Sequence, residues 1–495
     1  MLTLLVAAAI ADDGNAPGPH AAHARQFAAA PLPPGGQSTL PPGAPPDATV
    51  YGYHAYWTGS PLDLDFSRLT HVAVFNVDLN SDGTLSDTDR WTGVAGDLVP
   101  LAHSHGVKVH LCMTSFYDST TNTVLSSASR RTAAITALAA LVDEHGADGV
   151  NVDIEGLDGD QRDNMTAFIA ELAEAVPEVY IATPAIDWTG AFDYSALADL
   201  SDGLFIMGYG YHWSGGDPGP VAPLYGGSPW SDYSLEWTVE DYLSSGAPAD
   251  KIVLGLPLYG RQWPTDGPDV PGTATASGDA FVMHSALDEA AERGSLYDTT
   301  THTPYILETD SQLWFDDVES VRDRIRFAVD SGLQGTGFWA LQYEGDPEAF
   351  WNMVSEETVF TDIGDGGGGD NEAPVALAGL PILAYPGDTV ILDGSPSYDP
   401  DGEVTSHAWV QQSGPETTLE KADTDRPRLS VPEPGVYVIA LTVTDDAQAT
   451  GTDTVAVIVS DPSGGLGGCS ALAPAWSVVW LGGLLGIGAR RRRDG

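Results

Sequence analysis

Apolar and polar positions divide the chain into regions of different period. Residues 12–48 are rich in Ala, Pro and Gly, with Pro31-Leu-Pro-Pro34 and Pro41-Pro-Gly-Ala-Pro-Pro46, and carry no core-forming repeat. A linker is expected there. From Val50 to about Asp362, apolar runs alternate with stretches of helical period. Strands are predicted to start near Val50, His71, Val107, Gly149, Val179, Gly203, Ile252 and Gly335, and helices are clearest over 131–145 and 162–176. Eight strands with helices between them argue for an α/β fold, a (β/α)8 TIM barrel over 49–362. An open doubly wound sheet is the competitor, but no Gly-rich phosphate loop follows an early strand. Between Arg261 and Phe315 the spacing stretches, so a small α+β insertion is expected at about 262–315. After a glycine-rich linker at 363–371, residues 372–461 show short alternating strands at 389–393, 406–410, 435–443 and 454–459. That pattern predicts a C-terminal immunoglobulin-like β-sandwich.

One run within the barrel region carries candidate chemistry. In Asp148-Gly-Val-Asn-Val-Asp-Ile-Glu155 the polar residues Asn151, Asp153 and Glu155 alternate with Val150, Val152 and Ile154. On an extended strand all three polar side chains share one face. Two carboxyl groups at i and i+2 in a desolvated site repel each other, which pushes their pKa values apart and leaves one able to donate a proton. The plain alternative is a strand end with surface acids, in a chain that holds 70 Asp+Glu.

Charge narrows the partners. With 20 Lys+Arg the formal net charge is -50, a field that repels nucleic acid and anionic lipid. No nucleic-acid partner is expected. Cys112 and Cys469 are the only cysteines; Cys112 lies in an apolar run where a buried free thiol is the default. No metal-ligand spacing appears, so neither metal nor cofactor is expected. Residues 1–11 end in Ala9-Ile10-Ala11 and are expected to be a signal peptide, possibly truncated for want of a basic start. At the other end, an apolar stretch of about nineteen residues after Cys469 precedes Arg490 to Arg493, just long enough to span a bilayer. The 462–495 segment resembles a MYXO-CTERM type of sorting tail. That resemblance implies a secreted or cell-surface protein with transient membrane association.

Chemistry in such barrels gathers where strands end. Glu155 ends the fourth predicted strand, Tyr209 the sixth (with Met207 on the same face) and Trp339 the eighth. An indole at a barrel mouth is a flat apolar platform for a pyranose ring. Trp57, Trp188, Trp213 and Trp263 also follow strand candidates, and several such residues point to sugar subsites. Tyr53 of the first strand, Asn151, Met207, Trp213, Trp263 and Trp339 make up the expected substrate-binding set.

These residues resemble a known family. Segment 148–155, with Met207-Gly-Tyr209, Gly255-Leu-Pro-Leu-Tyr-Gly260, Trp314-Phe-Asp-Asp317 and Gly337-Phe-Trp339, is similar to glycoside hydrolase family 18, which holds chitinases and related N-acetylglucosaminidases. The run 393–402 with Val443-Thr-Asp445 looks like a PKD domain. The first resemblance implies a retaining, substrate-assisted hydrolase. Glu155 would be the acid, Asp153 would hold the substrate's acetamide, Tyr209 would orient its oxygen, and Trp339 would floor the subsite. Two positions depart from the family pattern: Asn151 stands where Asp is usual, as in a subgroup similar to spore-cortex hydrolases, and Gly210 where an acid is usual. Tyr211, His212 and Asp217 are the candidates to take over the role of that second acid. The expected partner is a polysaccharide containing N-acetylglucosamine, chitin first and peptidoglycan second, cleaved by a monomer. A non-catalytic sugar-binding surface protein on the same fold is the competing class.

Overall fold

The computed structural model describes residues 18–27, 45–359 and most of 371–459. Eight parallel strands close a barrel: β1 (Thr49–Ala55), β2 (His71–Leu79), β3 (Lys108–Ser115), β4 (Gly149–Ile154), β5 (Glu178–Pro184), β6 (Gly203–Met207), β7 (Ile252–Pro257) and β8 (Gly335–Trp339). Closure comes from β1, which pairs in parallel with both β2 and β8. Helices such as Ala128–His145 and Arg162–Ala173 bury Leu138, Val142, Phe168 and Leu172. The apolar face of each strand packs against such helices, and the opposite face fills the barrel.

Size matching inside the barrel explains two motif glycines. A Cβ on Gly255 would lie 2.3 Å from the Phe205 ring, and one on Gly337 would lie 2.4 Å from its other side. Glycine on β7 and β8 therefore makes room for Phe205 on β6. The lower end is polar and aromatic. Tyr51 Oη and His110 Nδ1 are 3.0 Å apart, and His110 Nε2 lies 3.2 Å from Glu178. Lys108 also binds the Glu178 carboxylate, and His71 Nε2 stands 3.7 Å from it. This network ties together the starts of β2, β3 and β5.

Between β7 and β8 the chain builds a five-stranded antiparallel sheet from residues 259–314, with the helix Met283–Arg293 against it. Just after it, Arg324 is fully buried, 3.0 Å from Asp316, and donates to the carbonyls of Ala222, His302 and Ser320. The C-terminal region is a β-sandwich of a four-stranded and a three-stranded sheet around Trp409, Leu429, Tyr437 and Leu441. It meets the barrel where Arg426 sits 5.8 Å over the Tyr225 ring.

The reading of 12–48 as a linker without core-forming residues needs correction. Residues Pro19–Phe27 form a helix, α1, that buries His20, Ala21, His23 and Phe27 in the barrel mouth. His20, His23 and Phe27 stand at i, i+3 and i+7 and so share a face. Two of them are histidines, which do not register as apolar, and Pro19 at the first helical position suits a helix start. The signal-peptide residues 1–11, the sorting tail 462–495 with Cys469, and residues 363–370 of the glycine linker lie outside the described residues. Among the described residues no helix is long and apolar enough to cross a membrane.

Candidate active site

The β4 row forms the floor of the mouth. Asn151, Asp153 and Glu155 are all buried, and Asp153 sits level with Thr114 of β3 and Ala182 of β5. Asn151 Oδ1 accepts the Tyr53 hydroxyl at 3.0 Å and the Cys112 thiol at 3.4 Å. Asn151 is thus tied to the barrel wall below the carboxylates. Asp153 Oδ1 is buried with no hydrogen-bond partner, while Oδ2 is 2.8 Å from His20 Nδ1.

Helix α1 fills the space above this row. Its N–H groups at His20 and Ala21 donate to the two oxygens of Glu155, each at 2.9 Å. The first N–H groups of any helix have no partner within it, and here the Glu155 carboxylate serves in place of a capping side chain. Gly18 makes the approach possible, since a Cβ there would lie 2.4 Å from Glu155 Cδ. The His20 ring stacks on Trp339 with centroids 3.7 Å apart, and its Nε2 is 2.5 Å from the Tyr209 hydroxyl. One flat ring therefore touches the indole, Asp153 and Tyr209 at once. The Trp339 N–H donates to His23 Nδ1 at 3.1 Å. At the far end, Gln26 pairs with the backbone of Ala280 through two hydrogen bonds, 2.7 and 2.9 Å long.

Electrostatics separate the roles. Burial, followed by the Asp153 charge, raises the Glu155 pKa well above the usual carboxylate range, against the pull of the Ala21 and His20 N–H groups. A raised pKa favours the proton-carrying form of Glu155, the form a general acid needs. Burial likewise holds the Tyr209 hydroxyl protonated, with Tyr259 and Asp153 adding to the shift. His23 is held neutral by burial, then by Arg261 and His20.

Beside α1 a cavity of about 360 Å³ stays open, lined by Glu155, Met207, Tyr209, Asp187, Trp188, Trp213, Tyr259 and Arg261. Trp188 and Trp213 are exposed at its rim, 73% and 46% respectively. Of the expected site residues, Asp153, Tyr209, Trp339 and Tyr53 surround the His20 ring, Glu155 accepts the His20 backbone N–H, and Met207 and Trp213 line the cavity. Trp263 does not reach it. It follows Tyr259 and Arg261 on the same face of the strand Tyr259–Pro264, and one further pleat of about 7 Å carries its indole under the chain at Gly278. Trp57 is core, donating its N–H to Tyr343.

The three side chains expected to stand in for an acid at position 210 are engaged elsewhere. Tyr211 donates to Ser234 O, His212 meets Asp217 O, and Asp217 accepts the Ala274 N–H. Gly210 itself has φ +83°, a conformation that favours glycine. Sequence reasoning missed His20, His23, Tyr259 and Arg261. Tyr259 was within reach, since it lies in the 255–260 motif. Among the described residues, two groups bring His and carboxylate donors within 4.8 Å of one another, His20 with Asp153 and Glu155, and His71 with His110 and Glu178. In both, the hydrogen bonds and ion pairs already described engage those donors.

Comparison with known proteins agrees with this fold. A model of glycosyl hydrolases family 18 matches residues 49–344, and a PKD domain model matches 382–459. The putative sporulation-specific glycosylase YdhD of Bacillus subtilis (strain 168) is 29% identical over 234 residues, 44% of this chain and 52% of that protein. The chain thus spans about half the length of that relative. The cortical fragment-lytic enzyme of Bacillus anthracis is 25% identical over 60% of this chain and 70% of its own. Mouse (Mus musculus) chitotriosidase-1 is 27% identical over 47% of this chain and 57% of its own. Among solved structures, the family 18 chitinase of Cycas revoluta in complex with (GlcNAc)3 superposes with a TM-score of 0.57 at 20% identity, covering 63% of this chain and 99% of that one.

Proposed function

The chain belongs to glycosyl hydrolase family 18, and from that premise we propose that it hydrolyses β-1,4 bonds of N-acetylglucosamine polymers with retention of configuration, Glu155 acting as the acid. The observation that carries the reading is the convergence of Asp153 and Tyr209 on one ring-sized volume over Trp339, now filled by the His20 imidazole, with Glu155 beside it on the backbone N–H of the same residue. A sugar ring entering that volume would stack on the indole.

In the first step Glu155 gives its proton to the glycosidic oxygen as the bond to the anomeric carbon breaks. The substrate's acetamide oxygen attacks that carbon from the opposite face, which makes an oxazolinium ion without an enzyme nucleophile. Asp153, whose Oδ1 has no partner, accepts the acetamide N–H and balances the developing positive charge. Tyr209 stays protonated and donates to the acetamide oxygen, which fixes its angle of attack. Glu155, now a carboxylate, takes a proton from water as the water opens the oxazolinium. The two inversions sum to retention. Asn151 is held below Asp153 by the Tyr53 hydroxyl and the Cys112 thiol.

Chitin is the substrate favoured by the exposed Trp188 and Trp213, which extend the platform beyond Trp339. Peptidoglycan is the second reading, favoured by the likeness to the cortical fragment-lytic enzyme and by Asn151. The proposal includes action by a monomer outside the cell, supported by the apolar segments at 1–11 and after Cys469 and by the insolubility of either polymer. To test it, the chain is cut once between residues 30 and 44, so that α1 can leave, and incubated with each polymer. Soluble N-acetylglucosamine oligomers are expected, with NMR showing the β-anomer first. An α-anomer as first product would eliminate the mechanism, and no release from either polymer would eliminate the function.

A further inference from the structure

The contacts of α1 are too specific for a passing neighbour. Two backbone N–H groups cap the acid Glu155, His20 joins Asp153 to Tyr209, His23 accepts the Trp339 N–H, and Gln26 pairs with Ala280. Both oxygens of Glu155, the Tyr209 hydroxyl and one oxygen of Asp153 are thereby occupied. The His20 ring lies on the indole at stacking distance, where a pyranose would lie. No sugar can enter while the helix is in place, because two rings cannot share one face of Trp339.

We propose that residues 18–27 are a built-in inhibitor that imitates the bound sugar, and that the chain is latent until this helix leaves the cleft. Removal of the expected signal peptide after Ala11 would leave residues 18–27 attached, so export alone does not open the site. The proposal rests on the reading of the cleft as the sugar site.

Gly18 and Gln26 supply variants that leave the catalytic residues intact. A side chain at position 18 would collide with the Glu155 carboxyl group, and Gln26→Ala removes the anchor at Ala280. The experiment uses the full chain carrying a single specific protease site between residues 30 and 44, compared uncut and cut. Hydrolysis of tetra-N-acetylchitotetraose and its binding by calorimetry are both measured. The cut chain is expected to gain at least tenfold in rate and affinity, and a synthetic peptide of residues 18–27 should reverse both gains. Uncut Gly18→Val and Gln26→Ala chains should fall between the two.

Equal sugar affinity in cut and uncut chains would overturn the proposal, and so would failure of the peptide to bind the cut chain. If peptide and sugar compete but nothing is hydrolysed, the catalytic reading fails and the inhibitor stands. Equal, high rates in both forms would sink the inhibitor and leave the catalytic reading standing.

Discussion

Glu155→Gln tests both tasks assigned to one side chain. The substitution keeps the shape and removes the transferable proton. General acid catalysis typically contributes 10²–10⁴-fold, so the barrier should rise by about 3–5 kcal/mol at 1.36 kcal/mol per tenfold. The same carboxylate accepts two N–H groups of α1 at 2.9 Å each. A glutamine offers one oxygen to those two donors, and its NH2 would face the second. An unmatched buried donor costs about 1–3 kcal/mol, which loosens the helix roughly five- to a hundredfold. The variant should therefore cleave chitotetraose 10²–10⁴ times more slowly, while its uncut form gains affinity for the same sugar relative to its cut form. Initial rates by reducing-end assay and affinities by calorimetry read the two effects separately. A rate within tenfold of the parent would remove Glu155 as the acid. An unchanged ratio of uncut to cut affinity would refute its part in holding α1.

Arg324→Met should cost about 3–5 kcal/mol in urea unfolding, because it removes the buried ion-pair partner of Asp316 and the shared donor of the Ala222 and His302 carbonyls; a loss under 1 kcal/mol would contradict that. Gly255→Ala forces a methyl group to within 2.3 Å of the Phe205 ring and should destabilise by about 1–3 kcal/mol, with partial recovery on adding Phe205→Leu, read as melting temperatures. Burial pushes the Glu178 pKa up, but hydrogen bonds from His110 and Lys108, with His71 close by, outweigh it and hold the carboxyl well below the usual range. Its folded pKa is depressed, so the stability it contributes is complete above the unfolded value of about 4.3 and is lost as pH falls below it. Urea midpoints measured from pH 7 downward should drop less steeply for Glu178→Gln, and parallel curves would show that the network has no such role.

Much of the barrel was legible because strand and helix periods differ. All eight strands lie where the apolar runs placed them, and the two-residue period put Asn151, Asp153 and Glu155 on one face. Tyr209 and Trp339 were legible as strand ends. Position along a strand relative to the rim is a three-dimensional quantity, and Trp263 passed for a mouth residue because the sequence does not contain it. Arg324 reads as surface by type, yet its guanidinium is saturated by carbonyls from distant segments. Helix α1 was hidden for a different reason. Its apolar face is made of imidazoles and alanines within a Pro-rich stretch, and its stability comes from partners more than a hundred residues away.

Helix α1 reaches the cleft on the same chain as the barrel, joined to it through residues 28–44. A tethered segment meets its site at an effective concentration on the order of 1 mM. Against an intrinsic dissociation constant of ~10 µM, that would keep about 99% of molecules closed, whatever the protein concentration. Once severed, the same segment at ~1 nM would occupy about 0.01% of sites. A nine-residue helix can therefore hold the cleft shut without binding tightly, and dilution into the surroundings makes its release irreversible.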